Sequence, residues 1–503
     1  MMKKIVSLLR KDMPYFLFCM ALTLIYGIVF LAADFYGIPC QSTADYMQLL
    51  KYFILAEIAI LGLFTLISIN KYVFAVAFPT VVFMSTVMTY YRYTVKATLT
   101  PQIVDLIIQN DLRTSMHAVS WQLILLLILS IVLSIYIVRY RIKKISAHMP
   151  VIWLLFSLSL IYYTNTRGHL STEVEQRQPY NLYYSVKEYL STREHISRHR
   201  QPFRRQATTD TDTLTVLLII GESLRADHLQ VNGYHRPTTP LLSKEKNLIA
   251  YPNVITDYVL THLSIPHILT RSTATHPDRA YTEQSFITLL RQAGYTATWI
   301  ANQESIPTYA YFMNECDSIV YASSNKSMYL FDSWLDTDVL PHYHNLLGKW
   351  SLQFILLHTV GSHWYYDSHY PQSYRRYTPT TTSRVISGNT QSQMINSYDN
   401  TILFSDYVWH SIIEPLRNTT SVILYISDHG ESLGEQGYYT HGVDRPEQHN
   451  VACWLWYSDK YAQRYPDKVA RLRSNSHRKL KTYFVFPTIL DIADIKINNK
   501  INK

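Results

Sequence analysis

Cysteine is scarce: the 503 residues hold four, Cys19, Cys40, Cys316 and Cys453, and no C-x-x-C. So few and so scattered, they build neither a disulfide framework nor a zinc ribbon, and the one pairing left open is Cys316 with Cys453. Charge is also sparse, at 17% of residues against 48% hydrophobic, and the apolar residues are unevenly spread. That excludes a uniformly soluble chain and describes a membrane segment joined to a soluble domain. The net charge of +9 gathers beside apolar segments and lacks the interleaving of basic and aromatic residues that a nucleic-acid surface needs. A phospholipid headgroup layer is the expected partner. No internal repeat is present, so a solenoid is excluded as well.

The apolar residues are concentrated early in the chain. Met13 to Ala33 is almost wholly apolar and follows Lys3, Lys4, Arg10 and Lys11. About 20 such residues cross a hydrocarbon core of about 30 Å. The run is too long for a signal peptide, and no small-residue cleavage site ends it. Tyr52 to Ile69, Tyr72 to Tyr91 and Trp121 to Val138 are further spans, and the shorter Val151 to Tyr163 is a fifth. With five spans, the basic residues before the first and Arg139, Arg141, Lys143 and Lys144 after the fourth share the cytoplasmic face, and everything after Tyr163 lies outside the cytoplasm. Residues 1–164 thus read as a helical transmembrane bundle. Residues 165–212 read as a polar linker along the headgroups, with an amphipathic helix at Tyr180 to Leu190 and a basic patch of Arg193, Arg198, Arg200, Arg204 and Arg205. His195 and His199 are four apart, but they belong to that solvated basic face.

Residues 213–503 form the soluble domain. Leu214 to Ile220, Thr296 to Ala301, Leu352 to Leu357, Val422 to Ile426 and Val451 to Trp456 read as strands, with helix-like stretches such as Glu283 to Gln292 and Gln393 to Pro415 between them. The alternation predicts one α/β domain with a largely parallel sheet covered by helices. In such sheets, ligands bind beyond the carboxyl ends of the strands.

The chemistry-bearing residues fall at those ends. Ser427-Asp428-His429-Gly430 follows one apolar run, Gly221-Glu222-Ser223 another, and Gly361-Ser362-His363 a third, while His441 comes in a Gly-punctuated loop after His429. Thr261 precedes a helix expected over Ser264 to Leu269; a hydroxyl held at a helix N-terminus beside a divalent metal is an activated nucleophile, and the backbone N–H groups there donate to phosphate oxygens. Glu, Asp, His and Thr together suit zinc, with manganese as a substitute. His342 and His344 form a His-x-His pair that reads as surface.

Taken together, these residues are familiar. Gly221-Glu222-Ser223-Leu224-Arg225, with Asn232-Gly233-Tyr234-His235-Arg236-Pro237-Thr238-Thr239-Pro240 behind it, resembles the opening motif of the bacterial phosphoethanolamine transferases, the family of the lipid A-modifying colistin-resistance enzymes. Asn396-Ser397-Tyr398-Asp399-Asn400-Thr401 and Asp428 to Gly442 are similar to its later motifs. The resemblance implies five membrane spans before an alkaline-phosphatase/sulfatase-like catalytic domain, in the bacterial inner membrane, with a cytoplasmic N-terminus and a periplasmic catalytic domain. It implies that Glu222, Thr261, Asp428 and His429 bind zinc, that Thr261 is the nucleophile, and that His363 and His441 sit near the phosphoryl group or a second zinc. The implied reaction moves phosphoethanolamine from phosphatidylethanolamine to Thr261 and then to lipid A or another envelope glycan.

Two departures stand out. Aligned without gaps through Asn253 and Pro266, the lipid A enzymes' nucleophilic Thr falls on Val259; Thr261 instead keeps the sulfatase-like spacing of nine residues before Thr270, with Ser264 and Thr256 as the other hydroxyls in reach. The cysteine-rich pattern of many family members is also missing. The competing readings are a glycerophosphotransferase, a phosphodiesterase or sulfatase-type hydrolase on the same site, and a catalytically dead membrane scaffold.

Overall fold

A computed structural model describes residues 2–38, 40–95, 98–109, 120–165, 173–197, 200–203, 206–304, 306–324, 326 and 333–498. The chain divides into two compact units, with the break between Tyr189 and Leu190.

In the first unit, four helices among the described residues are long and apolar enough to cross a membrane. They are α1 (Met2–Tyr26), prolonged by a π-helical turn at Gly27–Leu31, α2 (Thr43–Ile69), α3 (Lys71–Val95) and α4 (Trp121–Lys144). The expected fifth span is a helix too, α5 (Pro150–Asn165), but its 16 residues reach only about 24 Å. Asp12 of α1 ties the basic ends together. Its carboxylate accepts from the backbone N–H groups of His148 (2.7 Å) and Met149 (2.9 Å) and from the Trp153 indole (2.8 Å). The start of α1 and the α4–α5 turn therefore share one end of the bundle. Arg141, one of the basic residues expected on the cytoplasmic face, is buried and donates to Ser68 Oγ at 2.9 Å.

The stretch expected as a linker, 165–212, is shared between the units. Gln178 donates its backbone N–H to Asp34 (2.7 Å) and Tyr180 its hydroxyl to the Ala59 carbonyl (2.7 Å). Helix α6 (Tyr180–Ser197) follows. Arg200, from the basic patch, is tied into the second unit. It donates to the carbonyls of Ala280 (2.7 Å) and Glu283 (3.0 Å) and stacks on Tyr311 and Phe312. Arg198, His199, Arg204 and Arg205, and the side chains of Arg193 and His195, lie outside the described residues.

The second unit is built on a seven-stranded sheet. Its strands are β1 (Leu214–Gly221), β2 (Leu248–Ala250), β3 (Thr296–Ala301), β4 (Ser318–Tyr321), β5 (Leu352–His358), β6 (Ser421–Ser427) and β7 (Cys453–Tyr457), in the order β2-β7-β6-β1-β5-β3-β4. All neighbours run parallel except β7, which is antiparallel to both β6 and β2. The five expected strands are all present, the last starting at Cys453; the short edge strands β2 and β4 are additions. Alternate residues of β1 feed two cores. Val216, Leu218 and Ile220 join α7 (Thr261–Leu269), α8 (Phe286–Gln292) and a C-terminal helix over Val485–Ile492, while Leu217 and Ile219 join α9 (Gln391–Ile413) on the other face. The sheet is thus buried on both sides, which explains its unbroken apolar strands.

Register places the site. Ile220 pairs with His358 and with Ile426, Gly221 pairs with Ser427, and Ala301 pairs with His358. Four parallel strands therefore end level, and the next residues of each emerge at one edge. The four cysteines are unbridged, with Cys453 buried in β7.

Candidate metal centre

Glu222, the first residue past β1, is buried, and its two carboxylate oxygens have different partners. Oε1 lies 3.3 Å from His429 Nε2 and accepts from Ser223 Oγ at 2.9 Å. Oε2 accepts from Thr261 Oγ1 at 3.1 Å and from the Gln303 amide at 3.0 Å. Thr261, the first residue of α7, also stands 3.3 Å from His429 Nε2. His429 Nδ1 donates to the Gly430 carbonyl (2.9 Å), which fixes the tautomer and leaves Nε2 turned toward the carboxylates. Asp428 accepts at Oδ1 from Ser223 N (3.1 Å) and His429 N (2.7 Å); its buried Oδ2, 3.4 Å from His429 Nε2, has no hydrogen-bond partner.

Two histidines complete the cluster. The donor atoms of Glu222, His429 and His441 lie within 4.8 Å of one another. His441 and His429 rings are 4.2 Å apart by centroids, and His363 is 6.1 Å from His441. All six residues singled out in the sequence, Glu222, Thr261, His363, Asp428, His429 and His441, thus gather at one place. Ser264 and Thr256 stand behind it. Ser264 is buried and gives its hydroxyl to the Asp428 carbonyl (2.5 Å), and Thr256 Oγ1 is 3.4 Å from Ser264 Oγ. His342 and His344 are exposed, as expected.

Electrostatics follow from this crowding. Burial pushes the Asp428 carboxyl up to about 7, with the Glu222 charge adding to it. Burial also works against a charged His429, yet Asp428 and Glu222 overcome it and raise the imidazole to about 10. Glu222 resists its own burial through His429, with His363 and His441 behind, and its carboxyl stays well below the usual range. Burial lowers His363. Two buried carboxylates and one strongly basic imidazole around an unpartnered oxygen form a site whose proton a divalent cation can replace.

Several residues that support the site were not legible in the sequence. Glu431 is buried, accepts from Tyr366 (2.8 Å) and pairs with His441 Nδ1 (2.8 Å), so Nε2 is the ring nitrogen outside that pair. Asp336 accepts from the backbone N–H groups of Val360 (2.9 Å) and Gly361 (3.0 Å), so it holds the loop that carries His363. Gly361, at φ +53°, lies so close that a Cβ would stand 2.8 Å from the Glu222 carbonyl oxygen. The Asn396 to Thr401 motif is a buried tie rather than part of the reacting site. Tyr398 donates to the Ser223 carbonyl (2.7 Å) and accepts from Arg225 N (2.9 Å), while Asp399 accepts from His228 (2.7 Å), Tyr234 (3.0 Å) and Arg236 (2.8 Å). It anchors the opening motif on α9.

The chain is similar to several known proteins. Kdo(2)-lipid A phosphoethanolamine 7''-transferase of Escherichia coli is 35% identical over 274 residues, 52% of this chain and 47% of that protein. The chain spans about half the length of the curated relatives it matches. Among solved structures, the C-terminal periplasmic domain of the phosphoethanolamine transferase EptC from Escherichia coli, in complex with zinc, superposes with a TM-score of 0.53 at 25% identity, covering 59% of this chain and 87% of that one. The integral membrane lipooligosaccharide phosphoethanolamine transferase A of Neisseria meningitidis matches 95% of both chains with a TM-score of 0.54 at 21% identity, a likeness of fold. The model of the sulfatase family matches residues 215–495. That match runs over more than half of the sequence and spans every strand end that carries the site, so the chain belongs to the sulfatase family.

Proposed function

We propose that the chain is a zinc-dependent phosphoethanolamine transferase of the bacterial inner membrane, with a cytoplasmic N-terminus and a periplasmic catalytic domain. It takes phosphoethanolamine from phosphatidylethanolamine and hands it to lipid A or another envelope glycan. The observation that carries this reading is the Thr261 hydroxyl, set at the start of α7 within 3.1 Å of Glu222 and 3.3 Å of His429. The names of the relatives supply the transferred group, and the basic ends gathered about Asp12 support the sidedness.

The donor set fits zinc: a hydroxyl, two carboxylates and an imidazole with its outer nitrogen already committed, and a buried Asp428 oxygen that no protein group satisfies. Glu222, Thr261, Asp428 and His429 would hold the ion, His363 and His441 a second one or the phosphoryl group, and manganese would substitute. When bound, the metal supplies positive charge that favours the ionised hydroxyl and the phosphoryl oxygens of the transition state.

The chain's own residues do the rest. Thr261 Oγ forms the bond to phosphorus as the bond to the diacylglycerol oxygen breaks, and the free N–H groups at the start of α7 receive the phosphoryl oxygens. His441, steadied by Glu431, gives a proton to the departing diacylglycerol oxygen and then takes one from the acceptor hydroxyl. Transfer to the acceptor frees Thr261.

The test is intact mass of the purified full chain after incubation with phosphatidylethanolamine. An adduct of phosphoethanolamine that is absent from Thr261→Ala supports the reading. An adduct that survives in the variant, or none in a zinc-loaded wild type, counts against it. The sulfatase-family match favours one rival, a hydrolase on the same site, which would release ethanolamine phosphate with no acceptor present.

A further inference from the structure

The first unit contains a cavity of about 350 Å³ between α1, α3 and α4. Its floor is made of small residues that are buried, Thr86, Ser130 and Ser134, and its rim of leucines that are exposed, Leu129 and Leu133. It is therefore a slot open sideways from the bundle, not an enclosed void. Two of the floor hydroxyls are already spent on their own helices, Thr86 on the Val82 carbonyl (2.8 Å) and Ser130 on that of Leu127 (2.9 Å). The third, Ser134 Oγ, is buried with no hydrogen-bond partner, and most of the remaining lining is apolar side chains.

Length and polarity define the occupant. On α3 the lining runs from Phe78 to Thr94, about 24 Å at 1.5 Å per residue. One leaflet of the hydrocarbon core is about 15 Å deep. The slot is thus long enough for a whole extended acyl chain. One end is different in kind: Thr89, Tyr90, Tyr93 and Thr94 cluster there, where Tyr90 meets the N-cap Ser120 of α4 at 2.6 Å. This end is opposite Lys143 and Lys144, and tyrosines at such a level mark the membrane–water interface. A molecule with an apolar tail and a polar head at the non-basic side fits this arrangement.

We infer that the slot is a binding site for one acyl chain of a bilayer phospholipid, drawn from the leaflet opposite the basic end and held with its glycerol at the Tyr90–Thr94 level. A flexible chain lying in a groove walled on three sides by helices loses less contact than one facing a smooth surface, so this lipid is retained where its neighbours exchange. The site is independent of the reaction proposed above and does not assign the bound lipid as the donor.

Native mass spectrometry of the full chain, purified in mild detergent and washed to remove lipid, tests it. The expected result is one phospholipid per chain in wild type. Ser134→Phe, which fills the floor, loses that mass, whereas Val132→Phe keeps it, because Val132 is exposed on the same helix but lies outside the slot. Wild type without a stoichiometric phospholipid overturns the inference, whatever the variants do. Retention by Ser134→Phe also overturns it. Should that variant fail to assemble, Ser130→Leu replaces it under the same criterion.

Discussion

Gly361→Ala isolates how the third strand-end loop positions Glu222. At φ +53° an alanine costs about 1–2 kcal/mol relative to glycine, offset by roughly 0.5–1 kcal/mol from the stiffer unfolded chain. That part alone is what Gly348→Ala should show, since Gly348 has φ +73° and nothing within 4 Å of its would-be Cβ. Gly361 carries a second term. Its Cβ would stand 2.8 Å from the Glu222 oxygen and 2.9 Å from the Glu222 nitrogen, both backbone atoms at the end of a buried strand. The same loop is stitched to Glu222 by the Ser362 N–H, which donates to its carbonyl at 3.1 Å. Overpacking of this kind costs about 1–3 kcal/mol, so the total is about 1–4.5 kcal/mol, against roughly 5–15 kcal/mol for a whole domain. The assay is hydrogen exchange of peptides covering Leu214–Gly221, with zinc affinity measured by chelator competition. Gly361→Ala should lower protection on the order of a hundredfold and weaken zinc at least tenfold, while Gly348→Ala changes protection a few-fold and zinc not at all. Equal behaviour of the two variants would refute the claim that the close approach, rather than the dihedral angle, fixes Glu222.

Two further outcomes follow from the second unit. Burial raises Glu315 from 4.5 to about 7 despite hydrogen bonds from Ser285, so between those pH values the folded state holds a proton that the unfolded state has lost. Stability should therefore fall as pH rises from about 4.5 to 7 and level off above, and Glu315→Gln should flatten that part of the profile in pH-dependent thermal melts. Removing the metal by dialysis against a chelator should lower the unfolding temperature, since a ligand bound only by the folded state contributes about 4 kcal/mol at a thousandfold excess over its Kd. Restoring zinc should recover the temperature in wild type and not in Asp428→Ala.

Much of the fold was legible because burial on two faces leaves a strong trace. β1 and β6 are largely apolar runs that give way at once to Glu222 and Asp428, and β5, also largely apolar, leads into the loop that carries His363. The edge strands β2 and β4 were not legible, since three or four half-buried residues carry no distinctive period. The antiparallel direction of β7 was hidden for a different reason: an apolar strand reads the same in either direction. Glu431, Asp336 and Gln303 were missed because a carboxylate or amide that orients another side chain has no spacing rule, and its partner lies far away in sequence.

By itself the sequence determined the residue types and their places at strand ends, the apolar helices, and the family, because these depend on local composition and on short motifs. Only the tertiary structure decided which hydroxyl meets the carboxylates. Val259, Thr256, Thr261 and Ser264 are within a few residues of one another, and only the docking of α7 against the ends of β1 and β6 sets Thr261 Oγ1 beside Glu222 and His429 and turns Ser264 to the Asp428 carbonyl. That choice rests on strand register and helix placement, and both are fixed by packing across the whole sheet.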